Sequence, residues 1–469
     1  MASMNEAQKH EALPMDQFLK NLEGAEERLA AQSPKPKIQR VPFILRDHKH
    51  FEKYYEPRAV ALGPGHHGKE NCMLAEKFKP ALAARFIKDS GREAAELLKI
   101  IEDRIKILRD CYDEESTKLF SDEALAQLLF LDGCSTLQFI YSLMHCELAS
   151  FKIKRDQVAF AQQDLFLLEN QLPYQVLKLL MSSSDKHEEL KIAIDNFVQG
   201  KIMATEKKKS TGPTPPVHPE NKPQRGATSI TMGNTEEELE PTHLLDLLRT
   251  KMLGCQESNA IEKIVKVHQQ SFRNIQELKA AGIHFRPSET SCLKDISFTS
   301  LGFVGLLRLP PILVDDSMGP KFSNLIAYEM CPDFQNDFGV SSYIGFLDSL
   351  IDQADDVKQL RKAGVLHNLL GSDEEVAQLF NEIGTDLVPN SETYRTVKKK
   401  LEEHYKSKCK TWMAQFCHEH FSSPWTFIAF IGVLAALGLS GIQTWYTIHS
   451  PSSPCDSVCQ YLKQQLNLK

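Results

Sequence analysis

Apolar residues recur every three or four positions through most of the chain and alternate in only one short stretch. The pattern therefore predicts a mainly α protein: a large helical body with a small β element near residues 283–315 and one C-terminal transmembrane helix. In the first half, helices are expected over 73–87 and over 91–112, where Ala94, Leu97, Leu98, Ile101, Ile105 and Leu108 form a stripe. Further helices are expected over 121–144, over 164–180 with a break at Pro173, and over 190–203. Ser121 is placed to cap the third of these, with Asp122 and Glu123 at the positive end of its dipole. The segment 38–45 reads as extended, and the glycines and proline of 62–68 require a loop. In the second half, helical periodicity returns over 242–249, 261–280, 322–328, 341–353, 357–363, Asp373–Ile383 and 391–421. Ser372 and Glu375 read as a capping box for the helix that starts at Asp373. β-Branched and aromatic residues over 283–286, 293–299 and 303–314, bounded by turn residues and by Pro310 and Pro311, read as strands.

The segment 421–448 contains no Asp, Glu, Lys, Arg or His. At about 1.5 Å of rise per residue, roughly 20 apolar residues cross a bilayer core, so this stretch is long enough to span with some tilt. Pro424 suits a first helical turn, and Trp425 at one end with Trp445 and Tyr446 at the other match two interfacial belts. Gly432, Gly438 and Gly441 lie within the span; lipid tolerates them better than water does, and their spacing is not that of a GxxxG dimer motif. The alternative, a core helix of a soluble protein, would normally keep a polar face, and here only Ser440, Gln443 and Thr444 interrupt. Upstream stand Lys398, Lys399, Lys400, Lys406, Lys408 and Lys410, whereas the tail after residue 449 carries only Lys463 and Lys469 as basic residues. That asymmetry places the body in the cytoplasm of a single-pass, tail-anchored layout, at the plasma membrane or the endoplasmic reticulum.

Composition adds boundaries. The chain has 469 residues with a formal net charge of −7, which argues against nucleic-acid binding. Its 11 cysteines form no C-x2-C pair, and the opening residues lack a basic start followed by an apolar run, so the thiols of the body read as reduced. Cys455 and Cys459 in the tail are the pair that a lumenal environment would oxidise. Residues 1–37 read as an amphipathic helix and linker, 38–420 as the body with a Lys- and Pro-rich disordered insert over 204–241, 424–448 as the transmembrane helix, and 449–469 as a tail with its own amphipathic stretch over 458–468.

Several phrases stand out in order along the body. They are Val41-Pro42, Tyr55-Glu56-Pro57, Leu62-Gly63-Pro64-Gly65-His66-His67-Gly68, Leu131-Asp132-Gly133-Cys134 and the run Asp164-Leu165-Phe166-Leu167-Leu168-Glu169-Asn170-Gln171-Leu172-Pro173. Then come His243-Leu244-Leu245-Asp246, Leu278-Lys279-Ala280-Ala281-Gly282, Asn324 through Glu329, Asp356-Val357 and Pro424-Trp425. With these the chain resembles the plant family known as domain of unknown function 247, over roughly residues 38–448. Gly65 departs from the family, which usually carries an aromatic residue there, and is expected to loosen the loop; Ser135 stands where a bulky apolar residue is common. The resemblance implies a plant protein with a C-terminal membrane segment, and a role in recognition or signalling, since some members resemble self-incompatibility determinants of grasses.

No catalytic, cofactor-binding or metal-ligating set is assigned from the sequence. His66 and His67 are the types that ligate metals, but adjacent histidines rarely reach one ion, and a packed loop is the simpler reading. Asp164 and Glu169 are five apart and do not share a helical face, while Glu169, Asn170 and Gln171 are placed to bond backbone groups near Pro173. Cys134 reads as a buried thiol. Asp315-Asp316, Asp355-Asp356 and Asp373-Glu374-Glu375 lack EF-hand spacing and read as caps and solvated faces. Three functions remain: a membrane-tethered interaction protein with a partner of unknown identity, a hydrolase or metal-dependent enzyme centred on His66, Asp164 and Glu169, or a structural membrane scaffold, which would require self-association. Convergence of those three side chains in one solvent-reached pocket would favour the enzyme.

Overall fold

Helix α7, Asp122–Met144, organises the first half of the chain. From Leu125 to Ser142 nearly every residue is buried, so this helix is a core rod rather than a two-faced surface helix. In the computed structural model, which describes residues 14–16, 20, 36–47, 49–202, 240–254, 274–302, 304–334, 336–407, 424–449 and 454–466, two short helices, α1 (Phe43–Arg46) and α2 (Phe51–Tyr55), precede the loop 56–68. Helices α3 (Met73–Ser90), α4 (Ala94–Glu102), α5 (Ile105–Arg109), α6 (Glu114–Thr117), α8 (Arg155–Asp164), α9 (Tyr174–Ser182) and α10 (His187–Ile202) follow, and α3, α4, α5, α9 and α10 all pack on α7. Gly133 lets α9 come close, since a Cβ there would lie 2.7 Å from Leu180 Cδ1 and 2.9 Å from Val176 Cγ1.

The later elements are α11 (Leu244–Leu253), α12 (Ile275–Ala280), β1 (Ile283–Pro287), β2 (Ser297–Leu301), β3 (Val304–Leu309), β4 (Ile312–Val314), α13 (Met318–Glu329), α14 (Gly339–Asp348), α15 (Ala354–Lys362), β5 (Leu366–Asn368), α16 (Asp373–Ile383), α17 (Arg395–Lys406), α18 (Pro424–Ile448) and α19 (Pro454–Gln465). One sheet has the order β1–β3–β2; in the other, β4 and β5 run parallel with Ile312 opposite Leu366. The chain divides into two compact units: 1–275, 285–297 and 308–395 form the first, and 276–284, 298–307 and 396–469 the second. In the first, α13 packs against α2, α11, α14 and α16, and Tyr328, Tyr343, Phe322 and Phe346 are fully buried there. In the second, His404 of α17 is buried edge-on to Phe298 at 5.6 Å, with Nδ1 2.9 Å from Ser300 Oγ.

The mainly α reading with a small β element over 283–315 holds, and several boundaries move. The expected helix over 91–112 is two helices, interrupted at Asp103 and Arg104. The expected helix over 164–180 begins only at Tyr174; residues 165–173, all buried except half-buried Glu169, are non-helical, and α8 ends where that helix was expected to start. Side-chain amides there take backbone groups that a helix would use, and Pro173 has no N–H to give. The extended reading of 38–45 survives only as a bridge from Ile38 to Tyr112, because Phe43–Arg46 is a helical turn. Ser372 caps α16 by accepting from Glu375 N, but Glu375 accepts from Gly371 N instead of closing the box on Ser372. The strand expected over 303–314 is two, β3 and β4, split at Pro310 and Pro311, and β5 was not anticipated. Almost all of 1–37, the insert over 204–241 except 240–241, most of the helix expected over 261–280, and 408–421 lie outside the described residues.

Candidate functional site

Most of the conspicuous phrases meet in one place in the first unit, beneath the loop 56–68. Lys79 starts the construction. In α3 the buried positions are Lys79, Leu82, Ala83, Phe86 and Ser90, so a lysine lies on the apolar stripe. Its Nζ reaches Asp132 Oδ1 of α7 at 2.7 Å and Glu76 Oε1 at 2.6 Å, and donates to Ala61 O at 2.6 Å. Burial pulls the ammonium's pKa down, and the facing Asp132 carboxylate with the bonds from Asp132 and Glu76 more than offsets it, so Lys79 stays charged and sits above the ordinary lysine range. Asp132, wholly buried, uses its other oxygen to accept from Gly63 N at 2.8 Å. Gly63 has φ +62°, and a Cβ would stand 2.8 Å from Tyr112 Oη and 2.9 Å from Gln171 O, so glycine is required.

The run 164–173 holds the same loop from the other side. Asp164 accepts the N–H groups of Arg58 at 3.1 Å, Ala59 at 2.6 Å and Val60 at 2.9 Å. Burial pushes its carboxyl above the usual range against the pull of those three donors. Asn170 accepts from Leu62 N at 2.7 Å and donates to Val60 O and Asp164 O, both at 2.9 Å. Gln171 donates to Leu165 O and Leu167 O, and accepts from Leu245 N at 3.3 Å. Glu169 accepts from Val41 N at 2.7 Å and meets Arg46 at 3.2 Å. Leu168 is fully buried, and its N–H is taken by Asn324 Oδ1 at 2.7 Å, whose amide donates to Tyr54 O and Pro320 O. Glu329, at the end of the same helix, pairs with Arg249 at 2.7 Å and accepts from Val340 N and Ser341 N.

The two histidines diverge. His66 is buried, its Nε2 4.0 Å from Glu169 Oε2, and among the described residues neither ring nitrogen has a hydrogen-bond partner. Burial, then the charge of Lys69, lowers its pKa to about 4, so the ring is neutral. His67 points outward, edge-on to Phe120 at 5.8 Å, and Gly68 at φ +81° is open to solvent. Among the described residues no group of three His, Cys, Asp or Glu side chains is placed to hold a metal ion. Gly65 is not slack: a Cβ there would lie 2.7 Å from Glu169 O. Cys134 is fully buried, and burial pushes its thiol far above the ordinary range, away from the thiolate a nucleophile needs. Asp315 accepts from Ser317, Asp356 from Asp352 N and Gln353 N, and Asp373 pairs with Arg361, so these acidic pairs serve turns and helix ends.

Asp164 and Glu169 are therefore engaged by backbone N–H groups and Arg46, and His66 faces Glu169 from a buried position, so the three do not converge on an open pocket. The partners Lys79, Arg46, Arg58, Arg249 and Tyr112 had not been singled out from sequence. Only Lys79 had a legible signal, three and four residues before Leu82 and Ala83 on the buried stripe. Beside this knot, between α3, α7 and α8, lies a partly enclosed cavity of ≈ 220 Å³, lined mainly by apolar side chains and touched by Arg58, Ser135 and Thr136.

In the second unit, 428–448 is a 21-residue stretch of α18 with mean hydropathy 1.7 and none of its apolar window buried. Trp425, Trp445 and Tyr446 are exposed, and a Cβ at Gly432 or Gly438 would meet nothing within 4 Å. Pro424 opens the helix. Cys455 and Cys459 are exposed and free on α19.

Comparison with known proteins gives one family. The profile of the family described as "Plant protein of unknown function" (DUF247) matches residues 38–439. UPF0481 protein At3g47200 of Arabidopsis thaliana is 26% identical over 431 residues, covering 85% of this chain and 83% of the relative. A second UPF0481 protein of that plant, At3g02645, is 26% identical over 192 residues, covering 40% of this chain and 36% of the relative. No solved structure matches.

Proposed function

The chain belongs to the plant DUF247 family, and on that premise we propose that it is a membrane-anchored interaction protein, with its body on the cytoplasmic side and α18 as the anchor. One observation carries the reading: the apolar window of α18 is not buried at all. An ordinary core helix of that hydropathy would be covered by its own fold, because each exposed apolar side chain forfeits roughly 1.5–3 kcal/mol of burial. A bilayer supplies the missing cover, and the aromatic residues at both ends suit its two interfaces. The lysines before the helix favour a cytoplasmic body and a lumenal or external tail.

An interaction role is supported by how the family phrases are used. Their polar atoms bind backbone and one another, which fixes a rigid surface and leaves them unsuited to turnover. The hydrolase or metal-enzyme reading keeps one point in its favour, the ring of His66, unpartnered among the described residues, against the three backbone bonds that occupy Asp164.

Fractionation of plant cells expressing the tagged full chain tests the anchor. The protein is expected in the membrane pellet, resistant to alkaline carbonate and released by detergent, while a chain lacking 424–448 is expected in the supernatant. Recovery of the intact chain in the supernatant without detergent overturns the proposal. A glycosylation acceptor added after Lys469 should be modified if the tail is lumenal. Proximity labelling from the N-terminus should mark cytoplasmic proteins.

A further inference from the structure

We propose that the cavity between α3, α7 and α8 is a binding site for a small, uncharged, largely apolar molecule carrying one hydroxyl or carbonyl group. The cavity is ≈ 220 Å³. Benzene fills a cavity of about 150 Å³, so the size suits a ligand on the order of ten non-hydrogen atoms. Leu62, Leu74, Phe78, Leu82, Phe139 and Phe160 supply apolar walls. Water held there would need two to four polar partners, and such walls give few.

The polar groups at the wall define the ligand's chemistry. Ser135 and Thr136 are both buried on α7. The Ser135 hydroxyl donates to Asp132 O at 3.1 Å and can still accept. Thr136 has no hydrogen-bond partner among the described residues, so this buried residue brings an unpaired hydroxyl to the cavity wall. Charge is not on offer. The three donors of Lys79 are taken by Asp132, Glu76 and Ala61. The Arg58 guanidinium lies over the Phe160 ring at 4.5 Å and donates to Gln163 Oε1. Arg58 is exposed at the rim, so an anion would find no spare buried cation, and a cation would find no carboxylate among the lining residues. Asn71 and Gln157 add neutral amides to the wall, and a neutral molecule with a single hydrogen-bonding group answers the unpaired hydroxyl of Thr136.

The test is photolabelling of the full chain in lipid nanodiscs with 3-trifluoromethyl-3-phenyldiazirine, an uncharged apolar probe, followed by peptide mapping. Labelling is expected within 71–82, 135–139 and 153–165, and to be competed away by an excess of trifluoromethylbenzene. Ala161→Phe, and independently Ala75→Phe, should fill the cavity from its rim and reduce that labelling at least tenfold with the unfolding midpoint kept. Labelling of 424–448 by probe dissolved in lipid should be neither competed nor changed by either variant. Its absence would count against the anchor and not against the cavity. Thr136→Val should weaken labelling by the hydroxymethyl derivative of the probe at least fivefold and leave the parent probe unchanged. Unlabelled cavity peptides in the wild type, labelling that excess competitor does not reduce, or labelling that persists in both folded Phe variants overturns the site. Equal labelling by the hydroxymethyl probe with and without the Thr136 hydroxyl overturns the assigned ligand chemistry.

Discussion

Replacing Lys79 with Met would leave Asp132 as a carboxylate with 0% side-chain exposure and one remaining bond, from Gly63 N. Breaking a buried ion pair from one side costs about 3–5 kcal/mol, because the surviving charge keeps its desolvation penalty and loses its partner. Asp132→Asn is milder. The amide oxygen still accepts from Gly63 N, and Lys79 keeps Glu76 and Ala61 O, so about 2 kcal/mol is expected. The double variant K79M/D132N carries no buried charge at this point and loses chiefly the bond to Ala61 O. It should be destabilised by about 2–3 kcal/mol, less than K79M alone, which is a favourable coupling of about 3 kcal/mol. The three tryptophans stand at 412, 425 and 445 in the sequence, far from Lys79 and Asp132 along the chain. Pulse proteolysis of the detergent-solubilised full chain in graded urea reads directly the folded fraction of the unit that holds this pair. If K79M/D132N is as unstable as K79M or worse, the ion pair is not what the two residues contribute, and the reasoning fails.

Asn170→Ala strands Leu62 N, Val60 O and Asp164 O at once and should cost about 3 kcal/mol, with proteolysis opening first at 57–68; unchanged cleavage there would contradict its role as the loop's clamp. Gly133→Val forces side-chain atoms into Leu180 and Val176 and should cost about 1–3 kcal/mol, so a raised unfolding midpoint would refute the close approach of α7 and α9. His243 caps α11 with neutral Nδ1 accepting from Asp246 N at 3.1 Å, and burial lowers its pKa to about 4. A folded pKa below the unfolded ~6.5 gives stability that is complete above pH ~6.5 and is lost as pH falls toward 4, by about 3 kcal/mol for this one group. His243→Asn keeps a cap without the titration, and a stability–pH slope between 4 and 6.5 that it does not flatten would exclude His243 as a source.

Helix α16 was legible to the residue because its signals are local: Ser372 before an acidic first turn, then an apolar stripe. The lipid-length stretch was equally legible, since its length and its lack of charge are properties of the sequence itself. The run 164–180 was misread for the opposite reason. Its apolar periodicity is real, but Asn170 and Gln171 bind carbonyls and N–H groups of 60–62, 164–167 and 245, contacts that only the folded chain brings within reach.

The order of helices, the position of the small sheet and the existence of an uncovered apolar span follow from hydrophobic period and charge along the chain, because those preferences act over one or two turns. The pairing of Lys79 with Asp132, the inward turn of His66 and outward turn of His67, the need for glycine at 63 and 65, and the cavity beside α7 do not follow from it. They were decided when segments far apart in the chain closed on one another, such as Leu168 and Asn324 at a separation of 156 residues, since burial assigns each polar atom the partner that three-dimensional proximity provides.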